Sequence, residues 1–72
     1  MDNEYIKQER LNAGFTQKQA AGLLGISERT LQNIESGKSV KSDQYYQYMC
    51  HVYSKFKAIF DLLKIKSERA NG

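Results

Sequence analysis

Between Thr16 and Lys38 the chain reads TQKQAAGLLGISERTLQNIESGK, a stretch whose punctuation leaves little conformational freedom. Thr16 is a favourable N-cap, and Gln19, three residues on, completes a capping box. Ala20, Leu23 and Leu24 recur at helical spacing and give one apolar face. Ala20 and Ala21 are small, as they must be where two helices cross closely. Gly25 suits the left-handed residue that ends a helix. Ile26 can plug the crevice behind the turn. Ser27 caps the next helix, Leu31 and Ile34 supply its buried side, and Gly37 can end it. The spacing predicts two helices of roughly 8 residues joined by a short glycine turn, a helix-turn-helix arrangement.

With Leu31 and Ile34 inward, Glu28, Arg29, Gln32 and Asn33 face outward. These four residue types match the hydrogen-bonding edges of bases. Arg pairs with guanine O6 and N7, Gln and Asn with adenine N6 and N7, and Glu accepts from cytosine N4. The alternative is a plain solvated helix face. Its usual signature is Lys and Glu paired four apart, and this face has no Lys. A short capped helix presented in this way fits the major groove of DNA.

The same residues resemble a known family. The pattern TQ-x-x-x-A-x-x-x-G-I-S-x-x-T-x-x-x-x-E-x-G is met by Thr16, Gln17, Ala21, Gly25, Ile26, Ser27, Thr30, Glu35 and Gly37. It is similar to the lambda-repressor-like, Cro/Xre-type helix-turn-helix domains of phage and bacterial regulators. The resemblance runs from about Ile6 to Val52. The fold it implies is all-α, a compact bundle of four to five short helices. The function it implies is sequence-specific DNA-binding transcriptional regulation, as a repressor of phage, prophage or bacterial origin.

The resemblance also assigns roles. Gln17 falls where family members bind a phosphate, at a helix N-terminus that favours anions. Ser27, Glu28, Arg29, Gln32 and Asn33 fall where members contact base edges or adjacent phosphates. Lys38 and Lys41 lie in the following loop, where the DNA backbone passes, and Lys18 joins Gln17, Ser27, Lys38 and Lys41 as a phosphate candidate. Arg10 and Glu35 match an ion pair that ties the first helix to the recognition helix. Their bland alternative is two surface charges.

Length and charge bound the rest. Seventy-two residues make one small domain with a modest core. Such a domain gains from an oligomer or a bound partner. No apolar run approaches the roughly 18–20 residues that span a bilayer, and Met1 to Arg10 does not read as a secretory signal. The single cysteine, Cys50, has no internal partner, reads as core or near-core packing, and suits a reducing cytoplasm. Cys50 and His51 alone make a poor metal site, so no metal and no cofactor is expected.

Eleven basic and eight acidic residues give a net +3. Through Ser54 six basic residues balance six acidic ones, and the excess lies in the last 18 residues. Few phosphate contacts per subunit are expected, so binding as a dimer would add considerably to affinity. The basic end, KIKSERANG, reads as a solvated, frayed tail over 67–72 behind a domain spanning 1–66.

The flanks complete the expectation. Asp2 to Asn12 reads as the first helix, with Ile6, Arg10 and Leu11 inward, Gly14 as a left-handed stop and Phe15 in the core. Ser42 or Asp43 caps a later helix whose apolar stripe is Tyr45, Tyr48, Met49 and Val52. Tyr45, Tyr48 and Tyr53 are expected as core or interface residues with their hydroxyls at the edge. Tyr46 is expected on another face, exposed near the DNA-facing loop. Ser54 is expected to cap a separate fifth helix; the alternative is one continuous rod. Phe56, Ile59, Phe60 and Leu63 form a second apolar stripe, widened by Leu62 and Ile65. A stripe that wide implies a partner surface, here a twofold homodimer interface. The alternative is that it completes the monomer core.

Two subunits would set their recognition helices about one DNA turn, roughly 34 Å, apart on a pseudo-palindromic site. Two other classes remain open: an antitoxin-like module binding DNA and a toxin, and a protein-interaction module that has lost DNA binding. Both would use the C-terminal apolar helix to hold a partner protein. No nucleophile–base pair, carboxylate dyad or metal set marks an enzyme.

Overall fold

The computed structural model describes residues 2–71, and side chains over residues 2–63. Four helices follow one another: α1 (Asn3–Ala13), α2 (Gln17–Leu24), α3 (Glu28–Glu35) and α4 (Asp43–Asn71). Among the described residues there is no strand.

Local chemistry sets the boundaries. The Asp2 carboxylate accepts from the Tyr5 N–H at 2.9 Å and starts α1. The capping box of α2 is complete: Gln19 N–H donates to Thr16 Oγ1 at 3.1 Å, and Thr16 N–H donates to Gln19 Oε1 at 3.0 Å. Ser27 Oγ accepts from the Thr30 N–H at 3.1 Å and starts α3. Ser42 Oγ accepts from the Tyr45 N–H at 3.2 Å at the head of α4. Gly14 and Gly25 end α1 and α2 at φ +83° and +72°, a region closed to most L-residues.

The core gathers one side of every helix. Ile6, Ala20, Leu31, Ile34 and Met49 are sealed from solvent, with Phe15, Ala21, Leu24, Tyr46, Val52 and Tyr53 around them. Both alanines of the expected helix crossing are buried. Leu23 and Ile26 pack against the rim of this core. Leu11, expected inward, instead lies exposed. It sits one position past Arg10, and a 100° step along the helix turns it away from α3 and α4.

The last helix departs from expectation in two ways. Its buried face is Tyr46, Met49, Val52 and Tyr53, with Tyr45 half-buried and Tyr48 exposed. The stripe is therefore rotated from the expected one. Tyr46 is buried, not an exposed residue of the DNA side, because its hydroxyl accepts the Lys41 N–H at 3.1 Å and closes the α3–α4 loop. Tyr53 is buried with its hydroxyl, which has no hydrogen-bond partner among the described residues, so the expected edge position is corrected too.

The second departure is continuity: α4 runs through Ser54 without a break. Val52-Tyr53-Ser54-Lys55 contains no Gly or Pro to stop a helix, and propagation is the default once a helix is nucleated. The expected tail over 67–72 and the contribution of Ile65 lie outside the residues described with side chains. No described helix is long and apolar enough to cross a membrane.

Candidate nucleic-acid interface

The scaffold leaves one polar ridge open. On α3, Leu31 and Ile34 are fully buried, while Glu28, Arg29 and Gln32 are exposed and Asn33 is half-buried. None of these four side chains has a hydrogen bond or ion pair among the described residues. The Asn33 carbonyl, by contrast, accepts from the Ser39 N–H at 3.0 Å and from Ser36 Oγ at 3.2 Å, which turns the chain at the end of α3. Glu28 stands in the first turn of α3, where the helix dipole favours a carboxylate.

The expected phosphate contacts frame this ridge unequally. Lys18 and Lys38 are exposed. Ser27 is engaged as the α3 cap, its hydroxyl also 2.8 Å from Thr30 Oγ1. Lys41 is half-buried, with its ammonium 5.4 Å from the centre of the Tyr45 ring, within cation–π reach. At the head of α2 the capping box satisfies the Gln19 N–H and the Thr16 carbonyl takes the Ala20 N–H. The N–H groups of Gln17 and Lys18 are left over, as the first turn of a helix requires.

Arg10 and Glu35 sit behind the ridge, 6% and 5% exposed. Arg10 Nε donates to Glu35 Oε2 at 2.7 Å and Nη2 to Oε1 at 3.0 Å, a bidentate pair joining α1 to α3. Arg10 Nη1 donates to the Phe15 carbonyl at 2.8 Å, which also fixes the α1–α2 link. Two further contacts escaped sequence reasoning. Asn3 Nδ2 donates to the Glu35 carbonyl at 2.9 Å, and Gln17 Nε2 donates to Glu35 Oε1 at 3.1 Å. The first had a signal: Asn3 lies seven residues before Arg10, on the same stripe of α1. The second joins two helices through side chains alone and left none.

Away from this face, Cys50 packs half-buried against the core, and burial pushes its thiol up, with Glu9 adding to the effect. No group of His, Cys, Asp and Glu among the described residues is placed to hold a metal ion. The far half of α4 carries Ile59, Phe60, Leu62 and Leu63 exposed, with Phe56 packed against the core.

No curated protein and no solved structure gives a match to this chain. A family model described as helix-turn-helix does match, over residues 6–49, from the second turn of α1 to the buried Met49 of α4. That span covers more than half of the sequence, includes both helices of the motif and the Arg10–Glu35 pair, and shows that the chain belongs to the helix-turn-helix family of Cro/C1-type DNA-binding regulators.

Proposed function

We propose that this protein is a repressor that reads a pseudo-palindromic operator as a homodimer. The observation that carries the proposal is the open ridge of α3. Its polar side chains have no hydrogen bond or ion pair among the described residues, while Leu31 and Ile34 on the opposite side of the same helix are fully buried. In this arrangement α3 enters the major groove, and Arg29, Gln32, Asn33 and Glu28 meet base edges. Gln17, Lys18, Ser27, Lys38 and Lys41 hold the phosphates and set the register. Family membership supports DNA binding, and the near-neutral bundle, with six basic and six acidic residues through Ser54, favours two subunits acting together.

The dimer contact in this proposal is the apolar flank of α4, formed by Phe56, Ile59, Phe60 and Leu63. A second reading is favoured by the same flank. Ile59, Leu62 and Leu63 remain exposed on a bundle whose core is otherwise closed, a surface that equally suits a different protein, as in an antitoxin-like or protein-interaction module.

Selecting bound duplexes from a random pool tests both. The repressor reading expects an enriched inverted repeat whose half-sites are centred about one helical turn apart. Enrichment of a single unrepeated half-site would remove the homodimer. No enrichment, with no shift of any duplex at low salt, would favour the protein-interaction reading.

A further inference from the structure

Glu35 does more than close the ion pair with Arg10. Its Oε1 accepts from two donors, Arg10 Nη2 at 3.0 Å and Gln17 Nε2 at 3.1 Å. Gln17 is the first residue of α2 and half-buried, whereas Glu35 is almost fully enclosed. A side-chain amide carries two N–H donors. With one held by Glu35, the other stays free at the head of α2, next to the uncapped N–H groups of Gln17 and Lys18.

We propose that Glu35 is a positioning residue for the DNA backbone. It fixes the Gln17 amide in one orientation, so that the free side-chain N–H and the two main-chain N–H groups converge on a single phosphate. This rests on the reading of Gln17 as a phosphate contact. A bare carboxylate behind a phosphate would repel it. Arg10 removes that penalty by neutralising Glu35 through two hydrogen bonds while anchored itself on the Phe15 carbonyl at 2.8 Å. The buried pair thereby acts as a neutral acceptor, which a lone acidic residue in the same place would not. Ordering Gln17 before binding lowers the entropy lost when the phosphate arrives.

The test is a cycle between Gln17→Met and removal of the pair, R10M/E35M, read as affinity for a random-sequence duplex at low salt. Replacing a buried pair by apolar side chains of similar volume is often neutral for stability, and thermal unfolding checks each variant. Gln17→Met is expected to weaken binding about fivefold in the native background, the scale of one hydrogen bond. In the R10M/E35M background the same change is expected to cost less than twofold. In R10M/E35Q, which restores an acceptor facing Gln17 without the charge pair, the cost of Gln17→Met is expected to return. Should R10M/E35M fail to fold, Glu35→Asp, whose shorter side chain withdraws the acceptor, takes its place with the same expectation. Equal cost of Gln17→Met in every background would overturn the positioning role. No cost in the native background would remove the phosphate contact itself, and the inference with it.

Discussion

Phe60 sets its ring edge-on against Phe15, with centroids 5.8 Å apart and planes at 82°. The Phe15 ring also meets Tyr53 at 6.1 Å, so one side chain in the α1–α2 link touches two positions of α4 that lie about two turns apart. Phe56 and Phe60 are themselves 6.2 Å apart. This row of rings keeps α4 in contact with the bundle beyond Ser54 as far as Phe60.

Phe60 is 45% exposed, so its contribution comes through its two ring neighbours, Phe15 and Phe56, rather than a closed pocket. Phe15→Ala removes a buried ring and is expected to cost about 3–5 kcal/mol. Phe60→Ala is expected to cost less than half of that, near the aromatic pair value plus partial burial, about 1–2 kcal/mol. Urea unfolding of the two variants measures both, and equal costs would place Phe60 in the core proper.

The continuation of α4 and the rotation of its buried face show where sequence reading stops. The caps at Thr16, Gln19 and Ser27 and the stops at Gly14 and Gly25 were legible, because each depends on residues three or four apart. The polar ridge was legible because Leu31 and Ile34 fix which side of α3 is inward. Tyr45 and Tyr46 differ by one helical step, and a contact from outside the helix, the Lys41 N–H on the Tyr46 hydroxyl, decides between them. A separate fifth helix is expected because a continuous rod would carry Phe56, Ile59, Phe60 and Leu63 away from the core, but nothing in Val52 to Lys55 enforces a break and α4 runs on. The Gln17–Glu35 hydrogen bond spans 18 positions and two helices, beyond any periodicity.

Gly25 ends α2 at φ +72°, and an added Cβ would meet nothing within 4 Å. Gly25→Ala is therefore expected to cost only the backbone penalty of a left-handed L-residue, about 1–2 kcal/mol. Gly14→Ala, also in open space at φ +83°, is expected to cost the same. A much larger loss at either position by thermal or urea unfolding would point to a steric contact that the structure does not contain.

The Tyr53 hydroxyl is enclosed without a partner among the described residues, and burial raises its phenol well above the ordinary range, with the nearby Glu35 charge adding to the effect. A raised folded-state value means that the neutral form is the one the fold favours. Its stabilisation is complete below the unfolded value of about 10 and declines as pH rises beyond it. Tyr53→Phe is expected to be neutral or slightly stabilising at pH 7, by up to about 1 kcal/mol, since an orphan hydroxyl is removed. It is also expected to flatten the loss of stability above pH 10. Melting curves of both proteins from pH 7 to 11 check the two effects, and a destabilised variant at neutral pH would show that the hydroxyl has a partner.

Ile59 and Leu63 lie one helical turn apart on the exposed flank of α4. The native protein is expected to sediment as a dimer, and the double variant I59K/L63K to keep the fold of the bundle and sediment as a monomer. The variant is expected to bind a duplex with two half-sites no better than one with a single half-site. An unchanged oligomeric state would remove this flank from the dimer contact.

The most direct measurement concerns Arg29. Titrating the native protein and Arg29→Ala against a selected operator and a random duplex, with Lys38→Ala as comparator, separates base reading from phosphate contact. Arg29→Ala is expected to lose roughly 1–3 kcal/mol on the operator and little on the random duplex, while Lys38→Ala weakens both alike and shallows the salt dependence. Unchanged affinity of Arg29→Ala on both duplexes, or an equal loss on both, would contradict the reading of bases by α3.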